Sequence, residues 1–414
     1  SRALPPLWVT ACVSTVLFFG ALSTDGAGLM LAADPLGIPP VSAEGAGRLG
    51  YFAEKVRSGV PVTIGYIGGS ITQGTGASAF GNNYYWRSSR ALLRAIKARG
   101  GSGTSKAKLA AVGGTNSEYG SFRVGVQLLN PGVDLLIVEF AVNDGDNDAA
   151  TRGMEGIVRH AWRVNPKTAI VFLYTTAART AEDFYMEGKA APTVLRHHHV
   201  ATHYGIAEVH CGPTVADGIK HDQYSSKDFF PDGCHPSDIG HGVYAKLLID
   251  ALLPTLEWKA PEGDLPPLPA PILNDDLAYA DWEKAEPSAK SGEWTETEPG
   301  YYTPAGGWKA AGAASMTIPV KGKKIGLVFG TSTATVRISG LGFDKTFNGF
   351  KQSPPWVPGT IGGYEGKKQR EGEIVIDVQP TASSETSFQV EGVKSVRRES
   401  SKSRTNELAK NHDE

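Results

Sequence analysis

Residues 62–76 read VTIGYIGGSITQGTG. The apolar run 62–67 predicts a buried strand. Gly68-Gly69-Ser70 breaks it in a turn that glycine permits, leaving one hydroxyl at the tip. The strand fixes where that hydroxyl sits and the turn exposes it, so Ser70 occupies a natural nucleophile position. A serine hydroxyl is a weak nucleophile by itself. The reading therefore demands a base, an acid to orient the base, and donors for a developing oxyanion elsewhere in the chain. Without them this is a glycine-rich turn with an incidental serine.

The flanking pattern alternates. A short helix is predicted at 51–57 ahead of the strand. After the glycine turn a helix is predicted over 84–99, with Trp86, Leu92, Leu93 and Ile96 at helical spacings and Gly100-Gly101 ending it. A second strand, 106–112, runs into Gly113-Gly114-Thr115-Asn116-Ser117. A helical segment, 121–129, stops before Pro131. DLLIVEF at 134–140 is the continuous apolar run of a strand buried on both faces, and it runs into Val142-Asn143-Asp144. A helix at 154–163, a strand at 169–174, a helix at 193–204, a strand at 206–210 and a last helix capped by Ser237 complete the alternation. About five strands alternating with helices predict a three-layer α/β/α parallel sheet. Such sheets bind ligands beyond the carboxyl ends of their strands, where Ser70, Gly114 and Asn143 all fall.

Just before the last helix stands Pro231-Asp232-Gly233-Cys234-His235-Pro236. Asp232 and His235 share one tight turn, so a single loop presents a base together with the carboxylate that sets its tautomer. A helix-entry turn with a solvated histidine is the alternative reading of that loop alone.

Together, these four stretches resemble the four blocks of the SGNH hydrolase superfamily, the GDSL-type esterases. Gly68-Gly69-Ser70-Ile71-Thr72 is similar to the nucleophile block, and Gly113-Gly114-Thr115-Asn116-Ser117 to the block carrying the oxyanion glycine. Val142-Asn143-Asp144 is similar to the asparagine block, and Asp232-Gly233-Cys234-His235-Pro236 to the DxxH block. The resemblance covers roughly residues 45–255. It implies a flavodoxin-like fold and ester hydrolysis with neither metal nor cofactor. It also implies Ser70 as nucleophile, His235 as base and Asp232 as its orienter. The oxyanion donors it implies are the Ser70 amide, the Gly114 amide and the Asn143 side chain. Gly69 stands where the common family form has Asp, which places the chain nearer the GGSIT branch, resembling carbohydrate O-acetylesterases, than the lipases.

The chain has 414 residues, enough for two domains, and a net charge of −2, which argues against a nucleic-acid partner. No charge occurs from Ala3 to Thr24, and the apolar core 7–22 is shorter than the about 20 residues a spanning helix needs. Residues 1–30 read as a signal peptide or a signal anchor, giving a secreted or membrane-anchored, extracytoplasmic protein. The hydrolase domain is placed at 45–257 and a proline-rich linker, APEGDLPPLPAP, within 258–271. Short β runs at 315–319, 324–328, 334–338, 373–378 and 387–390 predict a smaller β-sandwich, jelly-roll-like, over 272–393. Its Tyr301, Tyr302, Trp308 and Trp356 suit either sugar stacking or the domain's own core. The charged tail 394–414 predicts disorder, and its end, Lys-Asn-His-Asp-Glu, lacks the leucine of an ER-retention signal.

Other motifs carry less. Asp144, Asp146, Asp148 and Glu155 partly imitate a calcium loop but lack its central glycine, so helix-start carboxylates explain them better. His197-His198-His199 reads as a solvated helix surface. Cys211 and Cys234 are either ordinary thiols or a pair. The partner expected is an acylated carbohydrate or another small ester. Removal of O-acyl groups, most simply O-acetyl, leads; a glycan O-acyltransferase with the same triad and a catalytically silent binding or scaffold protein are the alternatives.

Overall fold

The computed structural model describes residues 46–274, 276–330, 332–350, 359–379 and 387–397. The first half alternates strand and helix as the periodicity predicts: α1 (Ala46–Arg57), β1 (Thr63–Gly68), α2 (Ser70–Gln73), α3 (Tyr84–Ala98), β2 (Lys106–Ala111), α4 (Ser117–Val124), β3 (Leu135–Glu139), α5 (Asp148–Val164), β4 (Ala169–Tyr174), α6 (Ala178–Asp183), α7 (Pro192–Tyr204), β5 (Ala207–His210), α8 (Gly212–Lys220), α9 (Ser226–Phe229) and α10 (Asp238–Leu252). The five strands are parallel in the order β2-β1-β3-β4-β5. The chain turns back on itself at β1, whose neighbours are β2 and β3, so the crevice at its carboxyl end is the topological switch point of the sheet. β3 and β4 are buried along their whole length, as their unbroken apolar sequences require.

Several boundaries differ from the sequence reading for identifiable reasons. α4 begins at Ser117, four residues before the expected start, because Asn116 caps it by accepting from Tyr119 N at 3.0 Å. A single π turn (Gly125–Leu129) continues it to the expected end. α5 begins at Asp148 because the Asn147 side chain accepts from Ala149 N and Ala150 N. Ser237 does precede α10, but its hydroxyl donates to Asp228 O at 2.6 Å and makes no cap bond. On α3, Trp86 points outward while Tyr84, Tyr85, Leu92 and Ile96 face the core.

The second half is antiparallel: β6 (Ala280–Glu283), β7 (Ala289–Ser291), β8 (Trp294–Thr297), β9 (Gly307–Ala311), β10 (Ala314–Phe329), β11 (Ser332–Gly340), β12 (Phe343–Phe350), β13 (Gly359–Gln379) and β14 (Ser387–Val396). The runs 315–319 and 324–328, separate in the sequence reading, are two halves of β10. Its pairing with β13 shifts register between Gly322 and Lys324, and one half pairs further with β7, the other with β14. Ile318, Ile325, Leu327, Val336, Ile376 and Phe388 form this domain's own core. A small cluster of Phe122, Leu277, Ala280 and Val396 lies between the two cores.

The linker is held to the first domain by Arg159 and His203, which donate to Pro269 O and Ala270 O, each at 2.7 Å, and the residues just after it by Glu155, buried on α5, which accepts from Tyr204 Oη (2.6 Å), Ile272 N (2.6 Å) and Leu273 N (3.3 Å). The N-terminal apolar segment, Cys12, Trp356 and residues 398–414 of the charged tail lie outside the described residues. The start of that tail is not disordered, because Lys394, Ser395 and Val396 continue β14, pair with β6 and are buried. Among the described residues no helix is long and apolar enough to cross a membrane.

Candidate active site

β1 ends in Gly68, and Ser70 opens α2 directly after Gly69. The Ser70 hydroxyl meets His235 Nε2 at 2.9 Å, and His235 Nδ1 meets Asp232 Oδ2 at 2.7 Å. The second oxygen of the same carboxylate, Asp232 Oδ1, accepts from Cys234 N at 2.9 Å and His235 N at 2.7 Å. One carboxylate thus holds both the loop backbone and the imidazole, a dividend of the three-residue spacing. Burial pushes the Asp232 carboxyl up, but the hydrogen bonds from the His235 ring and the two backbone amides outweigh it and hold the group at about 2. The Asp232 side chain is 57% exposed and His235 22%, so the pair sits at the rim of the crevice.

The two other turns come to the same place. Gly113 lies against the nucleophile, since a Cβ there would sit 3.4 Å from Ser70 Cβ. Gly114 adopts φ +72, a left-handed conformation, and a Cβ there would meet nothing within 4 Å. Its glycine is required by backbone geometry, not by space. Asn143, after β3, packs on Gly69: a Cβ at position 69 would lie 2.0 Å from Asn143 Oδ1. That close approach accounts for glycine where the common family form has Asp. Asn143 Oδ1 is buried with no hydrogen-bond partner among the described residues, and Nδ2 is the end of the amide that can donate.

Beneath the nucleophile turn lie groups the sequence reading did not single out. Glu139, fully buried at the end of β3, accepts from Thr72 Oγ1 and Thr175 Oγ1, each at 2.7 Å, and burial pushes its carboxyl up. Arg123, fully buried on α4, donates to Gly68 O (2.7 Å) and Ala110 O, tying the carboxyl ends of β1 and β2 together. Burial pulls its guanidinium down to about 10. A charge closing the apolar run DLLIVEF was the available signal for Glu139. Arg123 had none, since an arginine on a predicted helix reads as surface.

The solvated-surface reading of His197-His198-His199 is corrected. His197 is fully buried and bonds Asp144 Oδ2 at 2.8 Å; His198 bonds Glu208; only His199 is exposed. Successive helical residues point about 100° apart, so one of three faces the core. Asp144 and Glu155 are likewise engaged by protein groups, Asp144 Oδ1 accepting from Ser117 N at 2.9 Å. No cluster able to hold a metal occurs among the described residues. Cys211 and Cys234 are free thiols, the first buried and pushed up to a high pKa by that burial. In the second domain, Trp308 packs on the β core and donates to Ala285 O, whereas Tyr301 and Tyr302 reach across to the first domain.

A parallel sheet with a Ser–His–Asp chain at its switch point, and an open left-handed glycine turn and a free amide beside the serine, defines an ester hydrolase of the α/β/α class. Residues 66–243 match the model of the GDSL-like lipase/acylhydrolase family, and this segment is a domain of that family. No curated protein matches the chain. Among solved structures, a two-domain esterase active on acetylated mannans superposes with a TM-score of 0.70 at 20% identity, covering 86% of this chain and 96% of that one. The same kind of esterase co-crystallised with mannopentaose gives a TM-score of 0.68 at 19% identity, covering 85% of this chain and 95% of that one. Both domains, in the same order, therefore share that fold.

Proposed function

We propose that the protein is a carbohydrate O-acetylesterase that works through an acyl-enzyme on Ser70. His235 Nε2 takes the hydroxyl proton as Ser70 Oγ attacks the acetyl carbonyl, and Asp232 keeps the other ring nitrogen protonated and pointed at itself. Negative charge gathers on the carbonyl oxygen, toward which the Ser70 amide, the Gly114 amide and Asn143 Nδ2 donate. Each such donor is typically worth about 3–4 kcal/mol. The tetrahedral adduct collapses, the sugar alcohol leaves with the proton held by His235, and Ser70 carries the acetyl group. Water, deprotonated by the same histidine, attacks the acetyl carbon and releases acetate and free Ser70.

The observation that carries this reading is the unbroken Asp232–His235–Ser70 chain at 2.7 and 2.9 Å, on the crevice where an α/β sheet binds ligands. The choice of an acetylated carbohydrate is supported by the two-domain likeness to esterases described as active on acetylated mannans. The uncharged segment from Ala3 to Thr24 supports an extracytoplasmic location, where polysaccharides are met.

The test is acetate release from acetylated manno-oligosaccharides and p-nitrophenyl acetate by wild type and Ser70→Ala. Release that survives Ser70→Ala sinks the nucleophile assignment. Products analysed with a free sugar acceptor present separate hydrolysis from acyl transfer: acetate alone is expected, and an acetylated acceptor overturns the hydrolase reading.

A further inference from the structure

We propose that Gln73 and Tyr302 are positioning residues for the hydrolysis, forming a relay through which the β-domain holds the Gly113–Gly114 turn in its oxyanion-donating geometry. The proposal rests on the esterase reading above. Gln73 ends the short helix that begins at Ser70. Its Oε1 accepts from Gly113 N at 2.8 Å, and its Nε2 donates to Tyr302 Oη at 2.6 Å. A Cβ at position 113 would lie 3.1 Å from Gln73 Oε1, so the turn rests directly on this side chain.

The Gly113–Gly114 turn needs such a support. Neither residue has a side chain, and the space beside Gly114 is open, so packing does little to fix the peptide whose N–H faces the oxyanion. Glycine pairs are the most mobile backbone available. Two hydrogen bonds restrain the turn: Thr115 Oγ1 to Val112 O at 2.6 Å beyond it, and Gln73 to Gly113 N on the nucleophile side. The second ties the turn to the helix that carries Ser70.

Gly113 N–H, a donor only, decides which end of the Gln73 amide faces the turn, and Tyr302 anchors the other end. A primary amide has an accepting and a donating end. Gly113 N–H requires the accepting end, which sends the NH₂ outward, where it needs an acceptor. The Tyr302 hydroxyl is that acceptor. Without it, the amide is held at one end only, and the side chain can swing away from Gly113.

Tyr302 is itself held. The Tyr301 ring stands edge-on to it at 4.9 Å. Tyr301 Oη accepts from Ala111 N at 3.2 Å, and Gln127 Nε2 donates to Tyr301 O at 3.2 Å. β2 is the edge strand of the parallel sheet, so Tyr301 occupies a donor the sheet leaves unpaired. The loop between β8 and β9 is therefore docked on the strand end that leads into the glycine turn.

The experiment uses the full chain with Tyr302→Phe, Gln73→Leu and the double variant, assayed on p-nitrophenyl acetate. That substrate is too small to report loss of a distant sugar contact. Each single change is expected to lower kcat about tenfold, less than removal of a donor outright, with KM little changed. The double variant should be no worse than Gln73→Leu, because the two groups act as one unit. Affinity for an arylboronate, whose tetrahedral adduct places an oxygen at the oxyanion site, should fall by the same factor as kcat, and a merely structural role would not couple the two. Tyr302→Phe with wild-type kcat overturns the relay, as does a fall in kcat with unchanged boronate affinity. Ser70→Ala runs alongside: activity that persists in it counts against the esterase reading, whereas an inactive Ser70→Ala with unaffected Tyr302→Phe counts against the relay alone.

Discussion

Gly69→Ala isolates one steric contact in the site. Gly69 has φ −91 and ψ −147, so a left-handed backbone is not what calls for glycine there. The obstacle is Asn143. A Cβ would stand 2.0 Å from Asn143 Oδ1, 2.8 Å from Cγ and 3.3 Å from Nδ2, whereas carbon and oxygen are comfortable only beyond about 3.4 Å. The amide must retreat by about 1.5 Å, and its backbone is pinned by Asn143 N to Phe140 O at 3.0 Å, so the side chain rotates. Nδ2 then leaves the oxyanion, a loss of about 3–4 kcal/mol or roughly 10²–10³ in kcat, with little change in KM. Steady-state kinetics on p-nitrophenyl acetate for Gly69→Ala, Asn143→Ala and the pair test this, with fluorophosphonate labelling of Ser70 confirming an intact nucleophile. The pair should match the worse single. Near-wild-type kcat for Gly69→Ala beside an impaired Asn143→Ala, or additive losses in the pair, would show that this contact does not govern the Asn143 amide.

Three further outcomes are expected. Asp232→Asn should lower kcat on p-nitrophenyl acetate by about 10⁴, because an amide no longer fixes the imidazole tautomer. Since the Asp232 carboxyl sits at about 2, it stays charged throughout the working range; an Asp232 carboxyl carbon whose NMR signal titrates above about pH 4 would contradict this. His241 is fully buried, accepting from Tyr84 N and donating to Thr75 O, and burial pulls it from 6.5 down to about 4. Between those values the unfolded chain binds the extra proton and the folded protein does not. Stability is thus complete above about pH 6.5 and declines toward pH 4, by up to about 3 kcal/mol from this residue. Urea midpoints at pH 7 and 5 should diverge less in His241→Gln than in wild type, and equal divergence would rule the assignment out.

The local record in the chain is good where physics is local. Alternation of apolar runs with helical spacings predicts the parallel sheet, because strand and helix periods are written residue by residue. Gly-Gly-Ser, Gly-Gly-Thr-Asn, Val-Asn-Asp and Asp-Gly-Cys-His mark turns at strand ends, and the sheet brings Ser70, Gly114, Asn143, Asp232 and His235 together there. The DxxH spacing even anticipates that one loop carries both base and orienter.

Local residue patterns thus encode the α/β alternation, the later all-β pattern and the turns that hold the site's reactive groups. The tertiary structure alone decided what surrounds those groups. Gln73 and Tyr302 are 229 positions apart, and nothing local in either marks the other. The burial of His197 and Arg123 and the fit of Asn143 onto Gly69 depend on which elements pack together. Residues 62–67 dictate that a strand forms and that Ser70 is displayed at its end; which distant side chains brace that turn is settled only when the sheet, its helices and the β-domain close around it.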